Sequence, residues 1–179
     1  MAAARRLFAA DGYDHTTTTA ILAEAGVSRG AMYHHFETKR DVFEAVFVDV
    51  SDEAIHRSSR AGGGQDSPLE DLILACLGWL HEVRTPEVAT LLLDQGPQVL
   101  GWERARELEA RTSLGLMKTA LERAEAAGEI EVRSIDLTAR LLNAVLAEAA
   151  LAALHADTEL SPSEQEIEIR RLFERWLAR

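Results

Sequence analysis

The run Ile21-Leu22-Ala23-Glu24-Ala25-Gly26-Val27-Ser28-Arg29-Gly30-Ala31-Met32-Tyr33 decides how this 179-residue chain folds. A short helix ends at Ala25, Gly26 supplies a sharp turn without a Cβ clash, and Ser28 caps the next helix through about His35. Met32 and Phe36, at i and i+4, share the inward face of that helix. Arg29, Gly30, Tyr33 and His34 are left outward. A short helix with that face fits the major groove of B-DNA, which is about 12 Å wide. Arg29 suits a guanine or a phosphate, Gly30 and Ala31 allow close backbone approach, and Tyr33, His35 and Lys39 are placed to hold phosphates.

Helical signals continue on both sides. Ala3, Ala4, Leu7 and Phe8 predict a first helix ending near Asp11-Gly12, with Gly12 as a left-handed cap. The Thr16 to Thr19 run caps the second helix. Thr38 caps the fourth, with Asp41 completing a capping box, and its buried stripe is Phe43, Val46, Phe47, Val50 and Ala54. Gly62 to Pro68 reads as a linker. Beyond it Leu69, Leu72, Ile73, Cys76, Leu77 and Leu80 stripe a fifth helix. Thr85-Pro86 opens another that Gly96-Pro97 is expected to close. Trp102 to Ala127 predicts a long helix stopped at Gly128, and Glu129 to Arg133 a brief extended connector. Ser134 to His155 and Ser161 to Arg179 supply the last two helices. No strand-like alternation or internal repeat is present. The fold class is all-α with about nine helices, divided at 1–45 and 46–179.

Charge narrows the function. Lys plus Arg number 19 against 30 Asp plus Glu, a net −11, which for the whole chain argues against phosphate binding. Residues 1–45 hold only −1 of it, with five basic residues (Arg5, Arg6, Arg29, Lys39, Arg40) against six acidic ones. Helix N-termini can supplement so few cations. The single cysteine, Cys76, excludes an internal disulfide, falls on an apolar stripe and predicts a reducing, cytoplasmic location. Arg5-Arg6 only faintly resembles an export signal, since Asp11-Gly12 ends the apolar run. The apolar tract Leu141–Leu154 is broken by Asn143 and Glu148 and is shorter than the ~20 residues of a span, so no membrane is expected. His34-His35 point apart on a helix and have no third ligand nearby, which predicts no metal. Without a phosphate loop, nucleophile elbow or zinc-protease motif, neither an enzyme nor a cofactor is expected.

The stretch LFAADGYDHTTTTAILAEAGVSRGAMYHHFETKRDVFEAVF resembles the DNA-binding domain of the TetR family of transcriptional regulators, most specifically at GVSRGAMYHHFETK. The resemblance covers about residues 4 to 50, and helix order extends it over the remainder. LLLDQGPQVLGWERARELEAR is similar to a segment of one branch. The resemblance implies a helix-turn-helix domain followed by a helical ligand-binding and dimerisation domain. The implied function is a homodimeric repressor released from a palindromic operator by a small effector. It makes Thr18 and Thr19 second-helix DNA contacts, and Ser28, Arg29, Gly30, Ala31, Tyr33 and His34 contacts of the recognition-helix region. His35 and Lys39 would hold phosphates. Thr19 stands where the family often has Arg, and the chain starts inside the expected first helix without a basic arm. A small-molecule-binding regulator with weak or lost DNA binding is therefore the alternative. Pocket candidates are Trp79, Leu80, Leu92, Gln95, Trp102, Met117, Leu121 and Asn143, although Trp79 and Trp102 suit a core better than a pocket. Leu142, Val145, Leu146, Ala149 and Ala153, with Ile169, Leu172, Phe173 and Trp176, are expected to form the dimer interface as a four-helix bundle.

Replacing Arg29 with Ala is expected to weaken specific duplex binding by about 1–3 kcal/mol, the range for a bidentate base contact. Titration against an operator duplex measures it, and unchanged affinity removes Arg29 as a reader.

Overall fold

A computed structural model describes residues 1–64, 66–154 and 160–177, with all side chains among them except those of Ala61 and Gly62. These residues form nine helices when 86–100 is counted as one. They are α1 (Ala2–His15), α2 (Thr18–Ala25), α3 (Arg29–His35), α4 (Lys39–Gly62), α5 (Pro68–Glu82), α6 (86–100), α7 (Trp102–Ala126), α8 (Ile135–Leu154) and α9 (Pro162–Leu177). Gln65 of the expected linker, the helix end at His155 and the end at Arg179 lie outside the described residues.

Local chemistry sets most boundaries. Thr17 Oγ1 accepts from the Ala20 amide at 3.1 Å, Ser28 Oγ from Ala31 at 3.2 Å, and Ser67 Oγ from Glu70 at 3.1 Å. Each satisfies an amide that the first helical turn leaves without a partner. Thr38 and Asp41 form the reciprocal capping box. Gly26 turns in the left-handed region, at φ 65° and ψ 28°. Gly12 differs from expectation. Its φ of 80° and ψ of 164° break α1 without capping it. The chain resumes helical geometry to His15, and the Thr16 hydroxyl donates to the Gly12 carbonyl at 2.7 Å.

α4 organises the packing. Phe43, Val46, Phe47, Val50 and Ala54 are buried as the stripe predicts. Phe8 and Tyr13 of α1 pack on the Phe43 ring. Farther along, α4 packs against α5, α5 and α4 both meet α7, α8 covers α7, and α9 lies on α5. One helix thus belongs to both expected domains, running uninterrupted through the 45/46 boundary.

α6 does not close at Gly96-Pro97. It runs from Pro86 to Leu100, with residues Ala89–Gln95 wound as a π-helix, and ends at Gly101, φ 84°. Proline removes an amide and crowds the preceding turn, and the wider π winding just before Pro97 relieves both. Gly96 sits against Phe47 of α4, where an added Cβ would overlap the ring. α8 begins six residues before the tract Leu141–Leu154 and reaches 20 residues, long and apolar enough by length and composition to cross a bilayer. That corrects the length argument from the shorter tract. Its Thr138, Ala139, Leu142, Leu146 and Ala150 instead pack into the core of this chain.

Gly96→Ala is expected to cost about 1–3 kcal/mol through overpacking against Phe47. A urea midpoint at the wild-type value would show that α6 can shift without loss.

Candidate nucleic-acid interface and internal cavity

α2 and α3 meet through the Gly26 turn, with Ile21 and Met32 buried beneath them. Arg29, Gly30, Ala31, Tyr33, His34 and His35 are exposed on α3, while Thr19 is exposed and Thr18 half-buried on α2. The Ser28 hydroxyl, expected among the contacts, is engaged in capping α3. The Arg29 guanidinium stacks 5.4 Å from the Tyr33 ring centroid, and His34 and His35 contact edge to face despite being adjacent.

The five cations of this region have different surroundings. Arg5 bonds Glu53 and Glu87, and Arg6 pairs with Glu24. Arg40 donates to the carbonyls of Val99 at 3.1 Å and Leu100 at 3.0 Å. Lys39 donates to the carbonyls of Tyr13 at 2.7 Å and Thr16 at 3.0 Å, with its ammonium 4.0 Å from the Tyr13 ring. The expected phosphate holder therefore clasps the end of α1, and two of its three N–H groups are engaged. Among the described residues, Arg29 alone of the five donates to neither a carboxylate nor a carbonyl.

A cavity of about 220 Å³ lies between α4, α5, α7 and α8. It brings together three expected pocket residues, Trp79, Met117 and Asn143, with Ser51, Ile55 and Ser58 of α4 and Glu109 and Ser113 of α7. Leu80, Leu92 and Leu121 are instead packed in the solid core. Gln95 donates to the Phe8 carbonyl at 2.9 Å, linking α6 to α1. Trp102 is 55% exposed at the start of α7. Helical periodicity identifies these residues as inward but cannot tell a packed row from a cavity wall. Cys76, on the cavity wall, is buried, and burial pushes its thiol up to about 12.

Comparison with known proteins places this geometry. Residues 1–46 match the family described as bacterial regulatory proteins, tetR family, and residues 69–176 match the tetracyclin repressor-like C-terminal domain. The chain belongs to the TetR family. It is 29% identical over 143 residues to the HTH-type transcriptional repressor BepR of Brucella suis, covering 71% of this chain and 66% of that protein. It is 34% identical over 113 residues to the HTH-type transcriptional repressor Rv1474c of Mycobacterium tuberculosis, covering 62% and 58%. Alignments with these curated relatives thus span less than two thirds of their length. A TetR-family transcriptional regulator from Pectobacterium atrosepticum superposes with a TM-score of 0.78 at 25% identity, over 98% of this chain and 89% of that one.

Within the TetR architecture, several bonds tie the helix-turn-helix to the C-terminal helices. Besides the Gln95 and Arg40 bonds, Arg5 joins α1 to α4 and α6, and Arg104 of α7 pairs with Glu44 of α4. Arg104 and the cavity residue Glu109 lie on the same helix about 7.5 Å apart along its axis. The last two helices differ from expectation. Leu142, Leu146, Ile169 and Phe173 are buried inside this chain, and Val145, Ala149 and Ala153 are half-buried. Of the expected interface set, Leu172 and Trp176 are exposed, joined by the unanticipated Leu137, Leu141, Leu154 and Ile167. Both faces of these helices carry apolar residues, so composition does not identify the outer one.

Hydrogen bonding to Arg104 holds the Glu44 carboxyl below its ordinary value of 4.5, and Arg5 does the same for Glu53. Both groups are more acidic folded than unfolded. Their stabilising effect is present above about pH 4.5 and is lost as pH falls through the depressed values, with partial solvation keeping it modest. Glu44→Gln is expected to flatten the loss of stability between pH 5 and pH 3 in urea titrations; an unchanged slope would remove this pair from the acid response.

Proposed function

We propose that this TetR-family protein is a transcriptional repressor, not an enzyme, that acts in the cytoplasm as a homodimer. In this reading it binds a pseudo-palindromic operator through α2 and α3, and a small molecule in the cavity releases it. The observation that carries the DNA reading is the isolation of Arg29. Its four companion cations each bond a carboxylate or a carbonyl of this chain, whereas Arg29, bonded to neither among the described residues, lies exposed with Thr19, Gly30, Ala31, Tyr33 and His34. Thr18, Ser28, His35 and the remaining Lys39 N–H complete the proposed contacts, the last two toward phosphate. Backbone amides at helix starts supply further phosphate contacts without net charge.

Release follows from shared helices. α4 begins beside the recognition helix and contributes Ser51, Ile55 and Ser58 to the cavity wall. α7 contributes Glu109 and Met117 to that wall and holds Glu44 through Arg104. A ligand that fits the cavity better in one setting of these helices biases the recognition helices, because only differential affinity for two conformations shifts their balance. The exposed apolar residues Leu137, Leu141, Leu172 and Trp176 of α8 and α9 favour burial against a second copy. A twofold dimer then requires half-sites spaced by whole turns of DNA.

Fluorescence anisotropy of the protein with the intergenic duplex beside its own gene, against a scrambled duplex at low and physiological salt, tests this function. Binding to the true duplex is expected to be about a thousandfold or more tighter. Equal, weak, salt-sensitive binding to both would refute operator reading and favour a ligand-binding regulator that no longer reads DNA.

A further inference from the structure

We infer that the cavity selects a small organic cation, an amine or quaternary ammonium on a compact apolar body, with the Glu109 carboxylate as its counter-ion. This rests on the cavity being the effector site and names the chemical class it takes.

Glu109 is half-buried on α7, and its side chain lines the cavity. None of the described residues gives its carboxylate a hydrogen bond or an ion pair. On the same wall Ser113 Oγ, one turn on, donates to the backbone carbonyl of Glu109 at 2.9 Å and lies 3.1 Å from Asn143 Oδ1, and the Ser58 and Ser59 hydroxyls donate to the Ile55 carbonyl. Among the described residues the one cation on the cavity wall, Arg123, is paired with Asp71 of α5 at 3.5 Å. Arg106 of α7 acts on Glu109 through space but is exposed to solvent. Among the described residues, α4 and α8 place no charged side chain on the wall. Burial accordingly pushes the Glu109 carboxyl up to about 7.

A desolvated carboxylate on a mostly apolar cavity wall, bonded to none of the described residues, costs free energy that a ligand of opposite charge recovers directly. A neutral guest leaves that cost in place, and an anion adds repulsion to it. Around the carboxylate the wall is apolar and soft, with Leu72, Trp79, Leu116, Met117 and Leu146. Trp79 adds an aromatic face of the kind that attracts cations. The volume of about 220 Å³ is below the ~300–1,000 Å³ of drug-sized sites, which restricts the guest to a small one.

The test is isothermal calorimetry of the full chain with benzyltrimethylammonium, its neutral isostere neopentylbenzene, and anionic 3-phenylpropanoate. At pH 8 the ammonium is expected to bind about tenfold or more tighter than the isostere, and the anion weakest. Glu109→Gln keeps the shape and is expected to reduce that preference to within about twofold. In the wild-type protein, ammonium affinity is expected to fall from pH 8 to pH 5.5, as protons compete for Glu109, while isostere affinity stays level. That pH series does not depend on the variant folding. Equal binding of ammonium and isostere, a preference that survives Glu109→Gln, a flat pH profile, or binding of none of the three overturns the cation inference. The effector reading fails on a different result, an operator complex that no small molecule dissociates.

Discussion

The close seat of Phe47 on Gly96 sets the position of α6 against α4, and the rest of the molecule is arranged around that contact. α6 is held there without a side chain between the two helices, and its π winding lets Pro97 follow without breaking it. Once α6 is seated, its C-terminal carbonyls receive Arg40 and its Gln95 reaches Phe8. α1 and α4 are thereby fastened to the C-terminal helices by specific polar bonds as well as by apolar packing. Such bonds are directional, so movement of α6 or α7 must either carry the head along or break them.

In the proposed mechanism two helices carry the communication between cavity and head. α4 runs from the recognition helix into the cavity wall, and α7 runs from the Arg104–Glu44 pair into the same wall. Packed helices move as rigid bodies with a few preferred settings. A cavity enclosed by both is therefore suited to choosing between settings. The charge distribution agrees with this division. Arg5, Arg6, Lys39 and Arg40 bond to carboxylates or carbonyls of the chain, and Arg29 stands on an exposed surface that the proposed function gives to recognition.

Much of the head was legible from residue order alone. The glycine turn at Gly26, the caps at Ser28 and Thr38 and the α4 stripe from Phe43 to Ala54 all depend on neighbours within a turn or two. Chain periodicity also found the inward face of α5. It did not separate Trp79, Met117 and Asn143, which border open space, from Leu80 and Leu121, which do not. Lys39 is another case. A lysine at the start of a helix beside the recognition helix suits phosphate, but its ammonium reaches back over Tyr13 because the end of α1 folds there.

Residue order thus determined an all-helical chain with a helix-turn-helix at its start, since caps, glycine turns and amphipathic stripes act over a few residues. Tertiary structure alone decided where the cavity opens, which apolar face of α8 and α9 stays outside, and that Gln95 holds Phe8. It also left the Glu109 carboxylate on the cavity wall with no hydrogen bond or ion pair from the described residues. Each of these depends on groups tens of residues apart in the chain, whose approach is set by how whole helices pack.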